Sequence, residues 1–222
     1  MMFSPDEYYE CFLKGKSAEQ IMSRIRSLKR EINRLIRALE DPEYVPLGRP
    51  SEYVQLLCSR KYLEEAKRAL AEAGGTYVFT KAEEKEIAFR ESIPYVSRIT
   101  FSIGYALGDH KVYTLSVDEH IRLRVTHLFD PEANTPETIF NLKKEELFET
   151  LCQMHISQWR RRYDNCNVLD GTQWVLTIAF SNGSRTVHIY GSNAYPYNFQ
   201  ELLELFGITE DYNAEYPDDE QA

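Results

Sequence analysis

The side chains whose types and spacing suggest chemistry are mostly basic. Arg26, Arg30, Arg34 and Arg37 follow one another at steps of four, four and three, which aligns them along one side of a helix. Such a ridge can grip phosphates or an acidic protein groove. The competing reading is a solvated face whose arginines pair with Glu64, Glu65 and Glu72 further along the chain, an arrangement of little energetic consequence. A second basic group, Arg160, Arg161 and Arg162, directly follows Trp159, so an indole and three guanidinium groups are available to stack on bases or clamp an anion. The run Gly191-Ser192-Asn193-Ala194-Tyr195-Pro196-Tyr197-Asn198-Phe199 offers amides and phenols in an adaptable recognition loop, with Asn193, Tyr195 and Tyr197 as its contact residues. The same run also makes a capable turn and helix cap through Gly191, Asn193 and Asn198.

Other constellations are poorer. Cys152 and His155 share helical spacing and Cys166 lies eleven residues beyond, yet no CxxC or HExxH occurs, so no metal is expected. Asp118, Glu119 and His120 adjoin in a turn and His127 follows, but adjacency does not supply the convergent geometry that acid-base catalysis needs. G-x-S-x-G, Walker and G-x-G-x-x-G signatures are absent from the sequence, so neither a catalytic residue nor a cofactor is assigned.

The elements that must carry these residues follow from periodicity. Ser17 with Gln20 forms a capping box, and Ile21, Ile25, Leu28, Ile32, Leu35 and Leu39 then mark a narrow apolar seam. The segment 41–50, with three prolines and a glycine, breaks this helix. Tyr53, Leu56, Leu63, Ala66, Leu70 and Ala73 stripe a second helix that Gly74 and Gly75 stop. Two striped helices with a short connection pack antiparallel. The charged stretch Thr80 to Ser92 reads as a further helix. After Pro94 the texture changes to period two, predicting strands over Tyr95 to Ile103, Lys111 to Val117 and Ile121 to Leu128. A loop from Asp130 to Thr138 precedes an expected helix of about twenty residues from Leu142 to Trp159, with the three arginines at its negative end. Gln173 to Phe180 and Arg185 to Tyr190 form a hairpin around Asn182-Gly183, and a last helix runs from Asn198 to Phe206. The expected fold is α+β: an N-terminal antiparallel helical hairpin (1–79), then an antiparallel sheet with helices on one face (80–209), then an acidic tail (210–222).

Composition bounds the function. The 222 residues carry a formal charge of −9, which argues against a general nucleic-acid coat protein. The charge is split, however: eight basic residues lie between Lys14 and Arg37 against two acids, while Glu210 to Ala222 holds six acids and no base. No apolar run is long enough for a membrane helix, the start lacks the regions of a signal peptide, and the four cysteines are widely scattered, so a cytoplasmic protein with reduced thiols is expected.

The stretch from Met154 to Phe199 contains the blocks His155 to Arg160, Leu169 to Trp174 and Gly191 to Pro196. It resembles a family of proteins from gut clostridia and their mobile elements that has no assigned activity, whose signatures are His-Ile-x-x-Trp-Arg, Leu-Asp-Gly-Thr-x-Trp and Gly-Ser-Asn-Ala-Tyr-Pro. Ser157 stands where that family usually has glycine. The association with mobile elements implies an anti-defence inhibitor of the anti-CRISPR kind. The resulting expectation is a non-enzymatic binding protein that engages a protein or nucleoprotein partner, with nucleic acid reached through the basic helix. Two alternatives stand beside it. One is a nucleotide- or nucleic-acid-processing enzyme with a site near His155, Trp159, Arg160 and the Gly191 loop. The other is a homodimer, since apolar heptads can pair between chains as readily as within one.

Overall fold

The computed structural model describes residues 3–46, 49–105, 108, 110–168 and 171–209; the acidic tail lies outside the described residues. The chain divides into two compact units, Met1–Thr80 and Lys81–Ala222.

The first unit is helical. Helix α1 (Pro5–Phe12) opens on a capping box in which Ser4 and Glu7 satisfy each other's backbone N–H groups. Helix α2 (Ala18–Leu39) starts the same way, through Ser17 and Gln20, and helix α3 (Glu52–Glu72) begins after Ser51. The α2 seam is buried as its periodicity demands, through Ile21, Ile25, Leu28, Ile32 and Leu35. Its partners on α3 are Leu56, Ala66, Ala69 and Leu70. The seam is thus satisfied within one chain. Helix α1, which the apolar spacing does not predict, adds Tyr8 and Leu13 to this core. Gly74, with φ of +73°, ends the hairpin in the left-handed conformation that glycine adopts without steric cost.

The second unit is a seven-stranded sheet with helices, so the α+β architecture is as expected. Helix α4 (Lys81–Ser92) leads into strands β1 (Val96–Tyr105), β2 (His110–Val117) and β3 (Ile121–His127). A two-residue strand β4 (Thr138–Ile139) and helix α5 (Lys144–Gln153) come next. They are followed by β5 (Arg162–Asp164), β6 (Thr172–Phe180), β7 (Val187–Ser192) and helix α6 (Phe199–Leu205). The strand order is β4-β3-β2-β1-β6-β7-β5. All pairings are antiparallel except that of the edge strand β5 with β7, which is parallel. Alternation along each strand points Ile99, Phe101 and Ile103 of β1 and Trp174, Leu176 and Ile178 of β6 into the core. There they meet Phe89 of α4, Leu147 and Leu151 of α5, and Leu202 and Leu203 of α6.

The long helix expected from Leu142 to Trp159 is the main departure. Helix α5 stops at Gln153, His155 takes a left-handed conformation with φ of 50°, and a 3-10 turn spans Ile156–Gln158. Arg162 consequently begins a strand instead of ending a helix. The apolar residues after Met154 mimic helical spacing, but Asn198 Nδ2 donates to the Met154 carbonyl at 3.0 Å and Trp159 Nε1 donates to Asn198 Oδ1 at 3.1 Å. Those two bonds fix the chain in a turn from a residue far along the sequence. The predicted hairpin also ends too early: Gly191 and Ser192 belong to β7, not to the connecting loop.

Candidate functional site

The arginines of α2 show how local sequence builds a surface. With Ile and Leu fixed in the seam, the remaining positions face outward, and Arg26, Arg30, Arg34 and Arg37 are all exposed. Arg34 pairs with Glu31 one turn back, at 2.7 Å. Its neighbours Arg26, Arg30 and Arg37 have no ion pair among the described residues. Three acids of α3, Glu64, Glu65 and Glu72, each meet a basic side chain of their own helix. Glu64 pairs with Lys67 at 3.1 Å, Glu65 with Arg68 at 2.5 Å, and Glu72 lies 3.7 Å from Arg68 while accepting from the Tyr9 hydroxyl at 2.9 Å. The anticipated pairing of α2 arginines with α3 glutamates is therefore replaced by pairs within each helix, because i,i+3 and i,i+4 partners are closer than residues across the seam.

A groove of about 500 Å³ runs along the first unit, with Arg24, Arg30 and Arg34 on its α2 wall and Gln55, Cys58 and Tyr62 on its α3 wall. Phe3, Tyr8 and Phe12 close one end. The aromatic end is held by packing and a hydrogen bond: Tyr8 and Tyr62 stack with centroids 4.0 Å apart, and the Tyr62 hydroxyl donates to the Phe3 carbonyl at 2.7 Å. Arg24 Nε donates to the Tyr8 hydroxyl at 2.6 Å, and its guanidinium lies over the rings of Tyr8 and Phe12. Burial pushes the Tyr8 phenol up, against the opposing pull of Arg24. Of the four α2 arginines expected at a site, Arg30 and Arg34 line this groove, whereas Arg26 and Arg37 do not. Spacing in the sequence does not single out Arg24, Tyr8 or Tyr62 as site residues. The Ser4-Pro5-Asp6-Glu7 start of α1 is nonetheless a legible signal for the helix that brings Tyr8 there.

In the second unit the structure separates the residues that stand together in sequence. Trp159 is buried. The Arg160 guanidinium lies over the Tyr163 ring at 4.4 Å, Arg161 is exposed, and Arg162 pairs with Asp164 at 2.5 Å while lying over Tyr190. The pairing with Asp164 pushes the Arg162 guanidinium up.

His155 faces α4. Its Nδ1 sits 2.9 Å from Glu86 Oε1, Arg90 Nη2 lies 2.7 Å from the same oxygen, and Gln158 Nε2 donates to Glu86 Oε2 at 2.5 Å. Lys85 Nζ adds a bond to the Ser157 carbonyl at 2.9 Å. Burial would raise the Glu86 carboxyl, but the bonds from His155 and Gln158 and the charges of His155 and Arg90 outweigh it and pull the group down to about 2. This clamp ties the turn after α5 to α4.

The loop from β7 to α6 is built into the core. Gly191 packs so closely on the Trp174 indole that a β-carbon would overlap it, and Gly171 packs likewise on the Asn193 carboxamide. Asn193 is left-handed at φ of 53°, and its Nδ2 donates to the Val168 carbonyl at 3.3 Å. Trp174 Nε1 donates to the Ala194 carbonyl at 3.1 Å, and Tyr195 packs on Phe199 with centroids 4.7 Å apart. Tyr195 and Tyr197 are half-buried. Asp118 is exposed in the β2–β3 turn, where the His120 backbone N–H and the Arg122 charge hold its carboxyl below the usual range. Among the described residues no group of three or more His, Cys, Asp or Glu side chains could hold a metal ion, and no helix is long and apolar enough to cross a membrane.

A scan against protein-family models found no match, and searches of curated proteins and of solved structures found none either.

Proposed function

We propose that this chain is a binding protein that engages an acidic segment of a protein partner through the groove and the arginine ridge of its first unit. The observation that carries this reading is the set of guanidinium groups on α2 without an ion pair among the described residues, Arg26, Arg30 and Arg37, while Glu64, Glu65 and Glu72 of the facing helix pair with bases of their own helix. Carboxylates of the partner would meet Arg30 and Arg34. An apolar or aromatic side chain would lie against Phe12 and Tyr62 at the closed end. Exposed arginines contribute mostly to association rate and partner choice, and the aromatic end supplies apolar burial. A mobile-element inhibitor of a defence nuclease is the concrete form that the family resemblance suggests.

The test is an affinity pulldown from a bacterial host lysate with the tagged full chain, with and without nuclease, alongside a variant carrying Arg26→Glu, Arg30→Glu and Arg34→Glu. A nuclease-resistant protein partner that disappears with the variant, while the helical circular dichroism and melting temperature stay within a few degrees, is the expected result. Retention of that partner by the variant overturns the reading.

A further inference from the structure

Among the described residues of the second unit, helices α4, α5 and α6 pack their core residues on the face of the sheet that carries Ile99, Phe101, Trp174 and Leu176. On the opposite face, register places a row of hydroxyls across the three central strands: Thr114 of β2 pairs with Thr100 of β1, which pairs with Thr177 of β6. Long basic and aromatic side chains flank this floor. Arg124 of β3 pairs with Thr114 on one side, and Tyr190 of β7 pairs with Val175 on the other. Arg98 stands at one end of β1, exposed. Neither Arg98 nor Arg124 has an ion pair among the described residues. The Arg162 guanidinium lies 5.6 Å from the Tyr190 ring centroid, making a cation–π layer at the β5 margin. With strand spacings of about 4.8 Å and a rise of about 3.4 Å per residue, the backbone positions of Arg98 and Arg124 are about 12 Å apart, and the span from β3 to β7 is about 19 Å. That footprint matches several nucleotides rather than one small anion.

We infer that the face of this sheet opposite the core binds single-stranded nucleic acid. Phosphates would meet Arg98 and Arg124, the Thr100 and Thr114 hydroxyls would bond phosphate or sugar oxygens beside a Thr177 hydroxyl that shares a 3.1 Å bond with His188 Nδ1, and a base would stack on the Tyr190–Arg162 layer. A face seven strands wide is too broad to enter the major groove of a duplex as a helix or a two-stranded ribbon does, whereas unstacked bases and a mobile backbone can lie on it. The hydroxyl floor favours this occupant over an acidic peptide, whose carboxylates would use the arginines but leave the threonines and the stacking layer without a role. The net charge does not oppose this, because six of its nine negative units lie between Glu210 and Ala222, and phosphate binding responds to the local patch.

The test is fluorescence anisotropy of the full chain with labelled 20-mers of oligo(U) and oligo(dT), a 20-base-pair duplex and a poly-glutamate peptide, across 50 to 200 mM salt. Single strands should bind in preference to the duplex and the peptide, with the stronger of the two oligonucleotides identifying the sugar. Arg98→Ser combined with Arg124→Ser should reduce the slope of log affinity against log salt by about 1.4, at about 0.7 for each phosphate left without its arginine. Tyr190→Ala should weaken binding about tenfold, as expected for one stacked base. Both variants should retain the wild-type tryptophan fluorescence and melting curve, because these side chains do not enter the core. The inference is overturned if neither oligonucleotide binds, if poly-glutamate binds as tightly, or if the arginine variant keeps the wild-type salt slope. It is also overturned if charge reversal at Arg26, Arg30 and Arg34 abolishes oligonucleotide binding while the sheet variants do not; that outcome would move the nucleic acid to the helical unit.

Discussion

Replacing Glu86 with glutamine perturbs one carboxylate held by three partners: the His155 ring, the Gln158 amide and the Arg90 guanidinium. Its carboxyl is held near 2, against an ordinary value of 4.5, a difference that corresponds to at most about 3.4 kcal/mol of preference for the ionised form in the folded state. Glu86 and His155 are mostly shielded, but the Arg90 side chain is 49% exposed, so solvent screening reduces the expected contribution to about 2 kcal/mol. The sign follows from linkage. A carboxyl lowered by folding stabilises the protein at pH values above its unfolded value. That stabilisation is lost as pH falls from about 4.5 through 2, leaving only a few tenths of a kcal/mol at pH 2. Both tryptophans, Trp159 and Trp174, lie in the core of the second unit, so urea unfolding followed by tryptophan fluorescence reports on this unit selectively. Glu86→Gln should lower its stability by about 2 kcal/mol at pH 7, and the gap between variant and wild type should close as the pH is taken from 5 to 2. A variant within about 0.5 kcal/mol of wild type at pH 7, or a gap that does not change with pH, would refute the electrostatic reasoning, because surface substitutions without such partners fall in that range.

Gly191→Ala forces a methyl into the Trp174 indole and should cost about 1 to 3 kcal/mol by the same fluorescence assay, as overpacking of a filled core does. Asn198→Ala removes the acceptor of the Trp159 indole N–H and the donor to the Met154 carbonyl at a buried position. It should destabilise the second unit by about 2 to 4 kcal/mol through unsatisfied buried polar groups, with altered near-UV circular dichroism of tryptophan. Leu28→Ala, in the α2 seam and 7% exposed, should cost the helical unit about 2 to 4 kcal/mol, read as an earlier loss of helical circular dichroism while tryptophan fluorescence is unchanged. Sedimentation of the full chain should give the mass of a single copy, because the α2 seam is filled by α3.

Much of this architecture is written in local pattern. Seams at steps of three and four in α2, capping boxes at Ser17 and Ser4, and alternation along β1, β2, β3 and β6 follow from backbone periodicity and end chemistry, which neighbouring residues decide. The exposure of the α2 arginines follows from the same periodicity, since a helix that buries one stripe must turn the others outward. Partnerships at a distance do not follow. The break after α5 depends on Asn198, and its clamp depends on Glu86, so the apolar spacing from Leu142 to Trp159 reads as one long helix until those partners are in place. Arg160, Arg161 and Arg162 are consecutive in the chain but take different partners, because only Arg162 belongs to β5, while Arg160 and Arg161 lie in the irregular segment before it, where the Arg160 guanidinium lies over the Tyr163 ring. The hydroxyl floor of Thr100, Thr114 and Thr177, with Arg98 and Arg124 near it, comes from four strands and exists only once register is set. Periodicity determines which side of an element meets the core, and only tertiary packing decides which outward-facing residues come to share a surface.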